Sequence, residues 1–154
     1  MNNSKVSEQF KRVSRWYDRF SEIDRGRAHS RESEYYEDVV FSFFQNIWAL
    51  RDWIINSAVL EKEVVDAFFH NDLDLKFCRD IANGSKHLKI KDPSIDQNLK
   101  ISRRVYSLTL GIAEPEIQVR FYIEASGYKS IDAYELSGVA KAKCEAFLRQ
   151  NNLI

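Results

Sequence analysis

The run CRDIANGSKHLKI, residues 78–90, brings a guanidinium, an amide, an ammonium and an imidazole into one short stretch. On a continuous helix, with roughly 100° between successive residues, Arg79, Asn83, Lys86 and His87 fall within one arc of about 100°. Leu75, Cys78, Ile81 and Ala82 take the opposite and flanking arc and should pack inward. A histidine moves protons near neutral pH. Arginine and lysine hold phosphate and offset negative charge that builds up in a transition state. Asn83 adds a neutral donor and acceptor. Such a set can cleave a phosphodiester without a metal when a ribose 2′-hydroxyl is the nucleophile. Three plainer readings stand beside this one. The arc also holds Asp72, Lys76 and Asp80, as an ordinary solvated face would. Gly84 commonly ends a helix, which would leave Lys86 and His87 in a loop. Asp52, in LRDW, can pair with Lys86 or Arg79 and tie two helices together.

Elsewhere the chemistry is sparse. The five glycines are isolated, so no phosphate-cradling loop is present, and GxGxxG, GxxxxGK[ST], GxSxG and HExxH are all absent. His29, His70 and His87 make no zinc spacing with Cys78 and Cys144. No cofactor and no metal site is expected. Asp72 and Asp74 read as a helix cap that meets the dipole favourably. His70, after Phe68-Phe69 at a helix end, reads as a cap rather than a catalyst, and Phe41, Phe43, Phe44 and Trp48 read as core rather than a base-stacking platform. Arg103, Arg104 and Arg120 mark a small basic patch or a charged strand edge. Arg25, Arg27 and Arg31 are largely cancelled by Asp24, Glu32 and Glu34.

The elements that would position Arg79 to His87 follow from periodicity. Val6, Phe10, Val13, Trp16, Tyr17, Phe20 and Ile23 step by three and four, giving a helix over about 6–23. A second helix is predicted over about 31–56, with Tyr36, Val40, Phe43, Ile47, Leu50 and Ile54 as its stripe. Helices over about 60–69 and 73–87 follow, the latter capped by Asn71 or Asp72. After Pro93 the period falls to two. Residues 101–110 and 117–123 read as strands, and GIAEPE (111–116) as their hairpin turn. Tyr106, Leu108 and Leu110 share one side of the first strand, and an isolated hairpin must lay its apolar face on helices. Asp132 and Glu135 suggest a capping box, opening a last helix that runs to about 151 and buries Leu136, Val139, Ala140, Phe147 and Leu148. The fold expected is mainly α: an antiparallel helical bundle (1–92), a two-stranded β-hairpin insertion (93–127) and a closing helix (128–154), all in one domain.

Length and composition bound the rest. The chain has 154 residues, of which 44% are hydrophobic and 30% charged, enough to close a core. Its 23 basic and 23 acidic side chains balance, which argues against a broad nonspecific grip on nucleic acid but leaves room for a local basic site. No apolar run reaches membrane-spanning length and the polar start carries no signal core, so no membrane association is expected. Two cysteines 66 positions apart suggest a reducing, cytoplasmic setting.

Asn83-x-x-Lys86-His87, late in a helix and preceded by a helix carrying Asp52-Trp53, resembles the HEPN (higher eukaryotes and prokaryotes nucleotide-binding) superfamily of helical bundles. Arg79-Asp80 is similar to the opening of that family's catalytic motif and His87 to its end, across residues 31–90. Seven residues lie between Arg79 and His87, one more than the motif's usual spacer. The resemblance implies a metal-independent endoribonuclease of toxin or antiphage type, acting on RNA as a homodimer. His87 would be the general acid or base, Arg79 and Lys86 would hold phosphate, and Asn83 would orient the group transferred. Members that have lost the motif imply the alternative, a noncatalytic interaction or scaffold module that oligomerises or binds a protein partner, for which the hairpin edge offers a place.

Overall fold

The computed structural model of the chain describes residues 3–26, 33–86, 90–109 and 116–154. It is mainly helical, with a small antiparallel sheet and a C-terminal helix. The first helix, α1 (Asn3–Asp24), buries Val6, Phe10, Val13, Phe20 and Ile23 and ends at Gly26, whose φ of 78° lies in the left-handed region that glycine enters without strain. The long α2 (Ser33–Ser57) lies antiparallel to it: Lys5 and Asn56 line one cleft, while Phe20 meets Phe43 and Phe44. Phe43, Phe44, Ile47, Leu50 and Ile54 are fully buried, and Trp48 and Phe41 pack partly buried against them. These aromatics are core.

Helices α3 (Lys62–Asn71) and α4 (Leu73–Lys86) meet at a single residue, Asp72. Asp72 Oδ1 accepts the backbone N–H groups of Asp74 and Leu75 and so caps α4. Its Oδ2 and Asp74 Oδ2 both accept from Lys143 Nζ at 2.6 Å, which ties the start of α4 to the closing helix α5 (Ala133–Gln150). Burial opposes the charge on Lys143, but the two carboxylates outweigh it and hold the ammonium above its ordinary value. Cys78 on α4 and Cys144 on α5 are buried free thiols, both pushed up by burial.

Strand β1 (Lys100–Thr109) pairs antiparallel with β2 (Glu116–Glu124), in a register that runs from Lys100 opposite Glu124 to Thr109 opposite Glu116, with an irregularity between Ile101 and Arg103. The joining turn expected at 111–116 lies, but for Glu116, outside the described residues. Among the described residues the sheet has three strands rather than the two of a hairpin, because β3 (Ile131–Asp132) pairs with Tyr122 and Ile123 of β2. Two residues carry no period, so β3 left no pattern to read. Val119, Phe121 and Ile123 are buried, and β2 packs on α1 and α5. The apolar side of β1 behaves differently. Val105, Tyr106 and Ser107 are all exposed, and among the described residues β1 is the outer strand of the sheet. Asp132 caps α5 by accepting from Tyr134 N and Glu135 N. Leu136, Ala140, Phe147 and Leu148 are buried as expected, but Val139 is 46% exposed, on the side of α5 turned from the core. One apolar cluster includes residues of all five helices and β2.

Candidate functional site

Helix α4 is unbroken from Leu73 to Lys86, so Gly84 does not end it before Lys86. An added Cβ at Gly84 would meet only the side chain of Ile90, at 3.6 Å, so glycine is not demanded there by crowding. Continuity keeps Arg79, Asn83 and Lys86 on one side of the helix. The inward arc is as expected: Leu75, Cys78, Ile81 and Ala82 are 2% exposed or less. Ser85 Oγ donates to Ala82 O and accepts from Gln45 Nε2 of α2 at 2.8 Å, which fixes the last turn of α4 against its neighbour. His87, the fourth member, lies outside the described residues, as does His29.

Asp80 departs from the solvated face on which its helical phase put it. It is completely buried. Its Oδ1 accepts the backbone N–H of Ser94 at 2.8 Å, and its Oδ2 accepts those of Ile95 at 2.6 Å and Asp96 at 3.2 Å. Three backbone donors on one carboxylate compensate for its loss of water. The segment 90–99 therefore folds back over α4, with Ile90 and Leu99 buried at its two ends. Asp96 extends the grip, accepting from Asn98 N and Ser126 N, and these two bonds hold its carboxyl below its ordinary value.

Arg79 is drawn into the same segment. Its Nη1 donates to Ser94 Oγ at 2.5 Å and its Nη2 stands 3.6 Å from Asp92 Oδ2, leaving the side chain 21% exposed. Asn83 is half-buried and Lys86 exposed. The structure thus divides the expected site. Arg79 holds the returning segment, and Lys86 has no ion pair among the described residues. Nor does Asp52 tie α2 to α4: it is bound by its neighbour Arg51, whose Nη1 lies 2.7 Å away, while its side chain stays 63% exposed.

A cavity of about 220 Å³ lies beside Gly84, lined by Glu37, Phe41, Asp80, Ile81, Leu99 and Lys100 among others. Its walls come from α2, α4 and the start of β1, and on α4 they are Asp80, Ile81 and Gly84 rather than Arg79, Asn83 or Lys86. Ser94, Asp96 and the buried role of Asp80 were missed by sequence reasoning. The signal available was Asp92-Pro93-Ser94, a helix-incompatible turn placed directly after basic residues. Asp72 and Asp74, read as a cap, act as one and also as the seat of Lys143. Among the described residues there is no cluster of three or more groups suited to a metal, and no helix is long and apolar enough to cross a membrane. No protein-family model, curated protein or solved structure matches the chain.

Proposed function

We propose that this chain is a HEPN-like helical protein that cleaves RNA without a metal, as a cytoplasmic effector of toxin or antiphage type working as a homodimer. What supports this most is the continuity of α4 through Gly84, which carries Arg79, Asn83 and Lys86 on one face up to the position of His87. In the reaction a ribose 2′-hydroxyl attacks the adjoining phosphorus. The O2′–P bond forms and the P–O5′ bond breaks, leaving a cyclic phosphate and a 5′-hydroxyl. His87 passes the proton, Lys86 offsets the charge on the phosphoryl oxygens, and Asn83 orients the group in transfer. Arg79 contributes its charge while its Nη1 is held by Ser94. Incubating the full chain with RNA in the presence of a chelator tests this. Fragments ending in cyclic phosphate are expected, and RNA left whole overturns the reading.

One observation favours a second reading, a noncatalytic scaffold that oligomerises or binds a protein partner. The Arg79 guanidinium is spent on Ser94 and Asp92, as a structural tie would be. Under this reading Arg79→Lys lowers stability and the chain has no effect on RNA.

A further inference from the structure

Trp16 and Trp48 pack against the core, whereas Trp53 lines a cleft where α1 begins and α2 ends. The cleft has a volume of about 410 Å³, and its walls are Lys5 of α1 with Asp52, Trp53, Asn56 and Ser57 of α2. The Arg12 guanidinium stands 5.8 Å from the centre of the Trp53 ring and donates to Gln9 Oε1, so the indole is braced by a side chain that is itself held. Ser57 is buried and its Oγ donates to Ile54 O, which makes it wall rather than a donor to the cleft.

The other polar groups of the cleft are open. Lys5 is exposed and has no ion pair among the described residues, and the Asn56 amide has no hydrogen bond among them. Asp52 Oδ1 accepts from Arg51 Nη1, but Arg51 also gives its Nε and Nη2 to Asp66, so one guanidinium serves two carboxylates. Asp52 Oδ2 accepts nothing among the described residues. Lys5 stands in the electropositive first turn of α1 and Asp52 near the electronegative end of α2, so each charge lies against the dipole of its own helix. A counter-charge is therefore favoured twice on each wall, an anion by Lys5 and the start of α1, a cation by Asp52 and the end of α2.

We propose that this cleft binds a free α-amino acid with an apolar or aromatic side chain. Its carboxylate meets Lys5, its ammonium meets Asp52 Oδ2, its side chain lies along Trp53, and Asn56 bonds to either charged group. A ligand of a single sign would meet its own sign on one wall, whereas a zwitterion satisfies both. The cleft is of the size that small-molecule sites have, and an indole beside a few placed polar groups is their usual lining. It lies away from α4, and it stands whether or not the chain cleaves RNA.

The indole N–H signals of the full chain, followed by NMR and assigned with Trp53→Phe, test this with three probes. They are L-phenylalanine, phenethylamine, which lacks the carboxylate, and phenylpropionate, which lacks the ammonium. L-Phenylalanine shifts the Trp53 signal, and the two single-charge probes bind about tenfold or more weakly. Lys5→Ala weakens L-phenylalanine by about tenfold without weakening phenethylamine, and Asp52→Asn does the same without weakening phenylpropionate. Glu22→Ala, at the far end of α1, changes none of the three. Melting curves establish that the variants are folded. A Trp53 signal unmoved by L-phenylalanine, equal affinity for all three probes, or a response that Lys5→Ala and Asp52→Asn leave intact overturns the proposal. Whole RNA with a responding Trp53 sinks the nuclease reading alone, and cleaved RNA with a silent Trp53 sinks the amino-acid site alone.

Discussion

Asp80 Oδ2 accepts the backbone N–H of Ile95 at 2.6 Å from a position with no exposed surface. Through that bond and its two companions, a helical carboxylate sets the path of the segment that joins the helices to the sheet. Asp80→Asn swaps one acceptor oxygen for an NH2 group that faces backbone donors. The expected cost is about 2–3 kcal/mol, read as a lower urea midpoint with an unchanged slope. A change within about 0.5 kcal/mol would mean that segment 94–96 does not depend on Asp80.

Gly84 sits inside α4, yet a methyl group there meets only ordinary contact with Ile90. Gly84→Ala should therefore stabilise the protein by about 0.5–1 kcal/mol, because alanine loses less backbone freedom on forming a helix. Chemical denaturation measures this. Destabilisation would show that the helix does not pass through this position undisturbed.

His70 supplies a pH dependence. Its folded value lies below the ordinary 6.5, lowered first by burial and then by Arg51 and the cations of α4. Above that ordinary value both folded and unfolded chains carry a neutral His70 and the group contributes no slope. As pH falls through it, the unfolded chain takes a proton first, so stability drops until the folded His70 titrates too. Melting temperatures on either side of this window should fall toward acid, and His70→Gln should flatten the fall. An unaltered slope in that variant would place the dependence elsewhere.

Asp24 at the end of α1 is held above its ordinary carboxylate value chiefly by burial, with Arg120 3.9 Å away only partly opposing it. Its ionised form is therefore a burden on the fold above that range. Asp24→Asn should leave the melting temperature at pH 7 unchanged or slightly raised. A fall of several degrees would mean that the Arg120 contact outweighs burial.

Helix positions were legible because the apolar stripes of α1, α2 and α4 repeat every three or four residues, and most of each stripe is buried, although Trp16 and Tyr17 are only partly covered and Gln9, Ser21, Phe77 and Asp80 are buried beside the stripes. The cap at Asp132 was legible as well, since the capping chemistry is local. What failed was non-local. Helical phase assigns Asp80 an arc, but whether that arc meets water depends on residues 94–96, which return over it from beyond the helix. Tyr106 had the alternation of a buried strand face, yet β1 is the outer strand among the described residues and Tyr106 is 52% exposed. Lys143 bridging Asp72 and Asp74 joins positions about seventy residues apart, which no window of local sequence contains. For the candidate site, the shared face of Arg79, Asn83 and Lys86 followed from spacing alone, whereas the capture of Arg79 by Ser94 did not.

The rate of RNA cleavage by the parent chain and by His87→Ala, both shown folded by their melting curves, bears most directly on the role of the α4 terminus. Cleavage by the parent that falls by about a hundredfold or more in His87→Ala is the predicted result. Equal cleavage by both proteins, or none by either, would contradict it and leave the scaffold reading.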